Sequence, residues 1–215
     1  DFDEIYDEVV LLNKYCEKEY GKKLTNIVFM GMGEPLLNYK HVNNAIARIT
    51  ATDGLAMSPR RITVSTAGVA KQIKQLGDDG VKYKLALSLH APTDEKRNKI
   101  MPINETNNLK ALVDALNHFY RKTKNEITLE YILFKDLNDS EQDANDLIKL
   151  YRQIPADLVN IIEYNPIEFA KFEKPTEERV QQFMQHLGKN RVNAHLRRSR
   201  GKDIDAACGQ LANKN

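Results

Sequence analysis

The sequence predicts an α/β fold: a partial, TIM-like (β/α) barrel that is missing its first strand. Three observations carry this. About six apolar segments of strand length each precede or follow a helical segment. Regular β-α alternation favours parallel strands joined by right-handed crossovers. Glu34, Ser65, Thr66, Ser88, His90 and Asn165 stand at or just past the C-terminal ends of four predicted strands. In a barrel such ends converge on one mouth, whereas a doubly wound sheet gathers its ligand groups at a single switch point. Eight strands do not fit in 215 residues at this spacing, and the chain opens on a helix. A partial barrel with a strand missing upstream is therefore expected.

Taken in order, Asp3 to Tyr20 reads as a helix with Ile5, Val9, Leu12 and Cys16 on one face. Gly21 ends it. Ile27-Val28-Phe29-Met30 reads as a buried strand. A second helix, Tyr39 to Thr50, carries Val42, Ala45, Ile46 and Ile49, and a strand runs from Arg61 to Thr66. Ala67-Gly68 breaks that strand before a helix with Val69, Ile73 and Leu76. The strand Lys84 to Leu89 ends at His90-Ala91-Pro92. Thr93 to Asn108 is a polar segment with no assigned element. A helix then carries Leu109, Leu112, Val113, Leu116 and Phe119, and the strand Ile127 to Phe134 alternates Ile127, Leu129, Tyr131 and Leu133 on one face. Ser140-Glu141-Gln142-Asp143 resembles a capping box. The strand Leu158 to Tyr164, a helix from about Thr176 and the strand Val192 to Leu196 complete the count. Residues 1–196 are expected to form the barrel, and 197–215 a basic tail carrying Cys208.

The richest stretch is Gly31-Met32-Gly33-Glu34-Pro35, at the end of the first strand. Glycines permit unusual dihedrals and close approach of a ligand to backbone amides. Glu34 adds an acceptor for a cationic or hydroxyl-bearing group. Met30 and Met32 flank this loop and suit either a pocket lining or core packing.

Composition sets the bounds. With 41% hydrophobic and 29% charged residues and a net charge of +2, this is an ordinary globular chain. No apolar run approaches the roughly 20 residues of a membrane span, and no signal peptide is visible. Cys16 and Cys208 are too few for a disulfide framework or a metal cluster. A cytoplasmic monomer is expected, with no membrane association. The absence of an initiating methionine suggests a fragment. His41, His118, His186 and His195 lack metal-ligand spacing, so no metal site is assigned.

The motifs Gly31-Met32-Gly33-Glu34-Pro35-Leu36-Leu37-Asn38, Val64-Ser65-Thr66-Ala67-Gly68, Ala86-Leu87-Ser88-Leu89-His90-Ala91-Pro92, Met101-Pro102-Ile103-Asn104 and Arg200-Gly201-Lys202-Asp203-Ile204-Asp205-Ala206-Ala207-Cys208-Gly209-Gln210-Leu211 occur in this order. Together they closely resemble the RlmN family of dual-specificity RNA methyltransferases, which are radical S-adenosylmethionine (SAM) enzymes. The resemblance implies an incomplete (β/α)6 barrel, SAM and a [4Fe-4S] cluster as cofactors, and methylation of carbon 2 of adenine in 23S rRNA and tRNA. A reducing partner such as flavodoxin is also implied. Gly33, Glu34, Ser65, Ser88, Leu89, His90 and Asn165 match SAM contacts, and Cys208 matches the cysteine that carries the methyl group. In the family one SAM methylates that thiol. A second SAM is cleaved to a 5′-deoxyadenosyl radical, which takes a hydrogen from the methyl group so that its carbon adds to the adenine.

The departures matter as much. The family's Cys-x3-Cys-x2-Cys cluster loop, its resolving cysteine and its small N-terminal domain have no match here. Cys16 does not replace the resolving cysteine and is expected in the core. The family's activity is therefore not expected of this polypeptide alone.

Each residue also has a plainer reading. Cys208 could be a small buried hydrophobe, although a basic neighbourhood lowers a thiol's pKa. A lone histidine such as His90 is usually structural, and Ser65, Ser88 and Asn165 could simply end strands or form turns. Lys189, Arg191, Arg197, Arg198, Arg200 and Lys202 form a basic run without acidic residues. It suits either solvent or RNA phosphates, with Arg197, Arg198, Arg200 and Lys202 as the RNA candidates. The competing functions are a Cfr-type adenine C8 methyltransferase, a non-catalytic SAM- or RNA-binding barrel, and a sugar-phosphate isomerase or aldolase. The last needs a phosphate loop, which Asn165-Pro166-Ile167-Glu168 is poorly suited to form.

Overall fold

The computed structural model of the chain describes residues 1–166 and 171–198. The described elements are α1 (Phe2–Tyr20), β1 (Ile27–Phe29), α2 (Tyr39–Thr50), β2 (Ile62–Thr66), α3 (Ala70–Asp78), β3 (Lys84–Ser88), α4 (Asp94–Ile100), α5 (Leu109–Thr123), β4 (Ile127–Leu133), α6 (Glu141–Tyr151), β5 (Leu158–Glu163), α7 (Glu177–Lys189) and β6 (Ala194–Arg197).

The six strands pair in sequence order, β1 to β6, and every pair is parallel. Strand order never reverses, so there is no switch point. With right-handed crossovers this winding places the helices on one side, as in a barrel wall. The wall is open: among the described residues no ladder joins β6 back to β1. No helix among them is long and apolar enough to cross a membrane.

Alternation explains the two faces. Ile62, Val64, Leu85, Leu87, Leu129, Tyr131, Val159 and Ile161 point to the helices and are fully buried. They pack with Ile49, Ile73, Leu76, Leu116, Phe119, Leu147 and Leu187 from the helices. Each such side chain contributes roughly 1.5–3 kcal/mol of burial. The helix starts are specified locally. Asn108 caps α5 through Ala111, Ser140 and Asp143 form the expected capping box on α6, and Thr176 caps α7.

Three expectations need correction. Thr93 to Asn108 is not irregular: it holds α4, capped by Thr93, and a 3-10 turn, Pro102–Glu105. Its charged residues hid the helix because α4 buries an arginine rather than an apolar stripe. On α1, Leu12 is 47% exposed, while Val9 and Asn13 are buried and Cys16 is half-buried. The inward line runs through residues 5, 9 and 13, and the Asn13 Oδ1 accepts the Leu24 amide at 3.0 Å. Finally, β1 is only half-covered. It pairs with β2 alone among the described strands, and Val28 on its inner side is 58% exposed.

Candidate cofactor site

The inner face of the sheet is mixed and carries most of the polar side chains of the strands, beside Val28, Ala86, Ile132 and Ile162. Thr63 and Ser65 of β2, Lys84 and Ser88 of β3, Thr128 and Glu130 of β4, Asn160 of β5, and His195 and Arg197 of β6 alternate with the buried outer residues. The register places Ser88, Glu130, Asn160 and His195 in one row across four strands.

At the C-terminal rim, the loop after β1 is bare. A Cβ added at Gly31 or Gly33 would meet nothing within 4 Å, and Gly33 has a φ of +90°, which an L side chain rarely adopts. Met32 is 74% exposed in this loop, so core packing is not its role. Glu34 is half-buried and fixed at both oxygens. Its Oε1 accepts the Leu36 amide at 2.9 Å and caps the 3-10 turn Pro35–Asn38. Its Oε2 accepts the Ala67 amide at 2.6 Å. The carboxylate thus ties the exit of β1 to the exit of β2.

Ser65 and Ser88 are half-buried, and their hydroxyls make no hydrogen bond among the described residues. Leu89 is fully buried, with its amide on the Glu130 carbonyl and its carbonyl accepting from Arg97. His90 takes the left-handed conformation, φ 55°, which for a residue other than glycine is uncommon and marks functional sites or turns. Its Nδ1 accepts the Ile132 amide at 3.1 Å, which assigns the ring proton to Nε2. Burial, reinforced by the nearby Arg97 charge, pushes its pKa down to about 3. The ring is therefore neutral at physiological pH. Asn165, two residues past β5, donates from Nδ2 to the Glu163 carbonyl at 3.2 Å. It lies on the same rim, with β4 between it and the β3 exit.

Two supports were not legible as functional residues. Arg97 is completely buried. It donates to the carbonyls of Leu89 (3.1 Å), Ala67 (2.6 Å) and Ser88 (3.1 Å) and to the Asn104 Oδ1 (2.7 Å). Asn138, also fully buried, donates to the carbonyls of His90 (2.6 Å) and Ile132 (2.8 Å) and accepts the Phe134 amide at 2.7 Å. Glu130 and Asn160 were missed too, although a polar residue inside an apolar strand signals them. The Glu130 carboxylate accepts from Asn160 at 2.8 Å and Arg197 at 3.1 Å, and burial raises its pKa.

Of the RNA candidates, Arg197 is thus paired with Glu130, and Arg198 contacts Glu177. Arg200, Lys202 and Cys208 lie outside the described residues. Among those described, no group of three or more His, Cys, Asp and Glu side chains could hold a metal ion.

No protein-family model matches the chain. A probable dual-specificity RNA methyltransferase RlmN of Cytophaga hutchinsonii is 54% identical over 98% of this chain and 58% of its own length. A like-named protein of Christiangramia forsetii is 51% identical over 99% of this chain and 60% of its own. The crystal structure of a radical SAM methyltransferase from Sphaerobacter thermophilus superposes with a TM-score of 0.91 at 38% identity, covering 95% of this chain and 60% of that one. The chain thus spans less than two thirds of the length of the relatives it matches. Similarity so high, sustained over nearly every residue present, means that the chain belongs, over the region it spans, to the RlmN family.

Proposed function

We propose that the rim of this sheet is the SAM site of a radical SAM RNA methyltransferase. The enzyme would transfer a methyl-derived carbon through Cys208 to carbon 2 of adenine in 23S rRNA and tRNA. One observation carries the reading. A bare glycine loop, a fixed carboxylate and two serine hydroxyls without a hydrogen bond among the described residues stand at the same end of adjacent strands β1, β2 and β3. The names of the relatives supply the RNA and the methyl transfer.

The rim fits SAM. Open space above Gly31 and Gly33 leaves backbone amides and carbonyls reachable by the polar methionyl end. Glu34 supplies negative charge for the ammonium group, while its bonds to Leu36 and Ala67 hold it in place. Ser65 and Ser88 offer hydroxyls to the ribose or the carboxylate. His90 keeps its proton at Nε2 and acts as a fixed donor, since its depressed pKa leaves it unable to gain a proton at neutral pH. Asn165 adds a side-chain amide further round the rim. When bound, SAM supplies the transferred carbon and the radical chemistry. The described residues offer no ligand set for an iron–sulfur cluster. The cluster and a reducing partner such as flavodoxin belong to the proposal through family likeness. RNA contact at Arg197 and Arg198 would exchange their bonds to Glu130 and Glu177 for phosphate.

The test is peptide mass analysis of the full-length protein after incubation with SAM, with mapping of the methyl position on the RNA. A methyl group on Cys208 and on carbon 2 of adenine is expected. A Cys208 that stays unmodified after incubation with SAM before any RNA is added, in protein that then methylates RNA, would overturn the carrier role, and a methyl on carbon 8 would overturn the target.

A further inference from the structure

We propose that Arg97 is a positioning residue for the SAM site, fixing the exits of β2 and β3 so that Ser65, Ser88 and His90 are presented together. The inference rests on the SAM reading of the rim and deepens it. In the sequence, Arg97 sits in a run of charged residues, where an arginine is ordinarily solvated. In the fold it is 0% exposed. Burying a guanidinium costs several kcal/mol unless its donors are met.

The partners that meet it are neutral. Three are main-chain carbonyls from two loops: Ala67 after β2, and Ser88 and Leu89 at the exit of β3. The fourth is the side chain of Asn104. Among the described residues no carboxylate pairs directly with the guanidinium; Asp94 stands one bond away, behind Asn104. The charge is therefore held by the oriented dipoles of the strand exits, with the nearby Asp94 carboxylate favouring the charged form. Even with burial lowering its pKa to about 10, the group stays cationic at neutral pH.

A planar guanidinium presents its donors in a rigid fork. Bonds from one fork to two loops fix the loops relative to each other. The fork is itself oriented. Asn104 donates from Nδ2 to Asp94 at 2.9 Å and Asn98 at 2.6 Å, and Asp94 accepts the Leu109 amide at 2.8 Å at the start of α5. Gly68 lies against the guanidinium from the other side: a Cβ there would lie 3.2 Å from Nη2 and 3.0 Å from Leu112. Glu34 completes the frame by bonding the Ala67 amide, so one peptide unit after β2 is set by Glu34 on one side and its neighbour's carbonyl by Arg97 on the other. Arg97 is fully buried and presents no surface to a bound ligand. Its effect on binding is therefore indirect, through loop geometry.

A purely structural arginine would change stability and leave the cofactor affinity of the folded protein alone. The experiment uses the full-length protein and reads urea stability beside SAM affinity by calorimetry. The variants are Arg97→Lys, Arg97→Met and Asn104→Ala, with Leu147→Ala in the buried face of α6 as a control. Arg97→Met should weaken SAM binding by about tenfold or more, because misplacement of a site by an ångström is that costly. Arg97→Lys, which keeps the charge but loses the fork, should recover only part of it. Asn104→Ala, which leaves the arginine but frees its fork, should show a smaller loss in the same direction and covers the case in which Arg97→Met does not fold. Leu147→Ala should lose stability with SAM affinity unchanged. Unaltered SAM affinity in folded Arg97→Lys and Asn104→Ala would overturn the role of Arg97 while leaving the site intact. Absence of SAM binding in the wild type would overturn the site itself, and the inference with it.

Discussion

The two faces of the sheet are made by the same strands and follow opposite rules. On the helix side, Leu85, Leu87, Leu129, Tyr131, Val159 and Ile161 are fully buried and apolar. On the inner side, the polar residues of these strands and their neighbours β2 and β6 are Ser65, Ser88, Glu130, Asn160 and Arg197, which are half-buried or paired with one another. The outer face holds the fold by area, through contacts that tolerate small shifts. The inner face and its rim are held by directed bonds to single atoms, where a small shift removes a bond. A change on the outer face should therefore appear as lost stability, and a change at the rim as lost binding.

The largest effect is expected from Leu87→Ala. Removing a fully buried leucine from β3 should cost about 2–5 kcal/mol in urea unfolding, with SAM affinity of the folded protein retained. A loss of affinity without a loss of stability would break the division between the faces.

His90 brings the division into pH. Its folded pKa is about 3, against an ordinary value of 6.5. Below pH 6.5 the unfolded chain takes up a proton that the folded protein refuses. The stabilising contribution is thus complete above pH 6.5 and lost as pH falls towards 3, at up to about 1.4 kcal/mol per pH unit. Glu130 works in the opposite sense: with its pKa raised by burial, its contribution weakens as pH rises above its ordinary 4.5. His90→Asn tolerates the left-handed backbone and should flatten the acid-side slope in denaturation curves measured between pH 4 and 7. An unchanged slope would assign it to other groups.

Glu34→Ala removes acceptors for two amides and a proposed ligand for SAM. Calorimetry should show SAM affinity lowered by about tenfold, with only about 1 kcal/mol of stability lost. Equal SAM affinity would mean that the glycine loop binds without its carboxylate. The smallest effect is expected at the rim's charged edge. Arg198→Gln should reduce the slope of log RNA affinity against log salt by about one. No change would leave Arg198 serving only its contact with Glu177.

The fold was legible because its outer face obeys simple periodicity. Ile127, Leu129, Tyr131 and Leu133 announce β4, and Ser140 with Asp143 announces α6. The rim was legible in part: Glu34, Ser65, Ser88 and His90 were placed at strand ends because glycine and proline end strands visibly. What supports the rim was not. Arg97, Asn104 and Asn138 sit in polar stretches that read as solvated, and their burial depends on carbonyls distant in sequence. Periodicity also misplaced Leu12 and overstated the cover on β1. It marks an apolar stripe without saying which edge of it meets a neighbour.

The central claim is that the rim of β1, β2 and β3, and not another surface, takes SAM. Hydrogen exchange of the full-length protein with and without SAM tests it most directly. The account predicts added protection in peptides containing Gly31 to Leu36, Ser65 to Gly68 and Ser88 to Ala91, with the helices of the outer face unchanged. Protection confined to other segments, such as the groove between α6 and α7 lined by Asp139, Arg179 and His186, would contradict it.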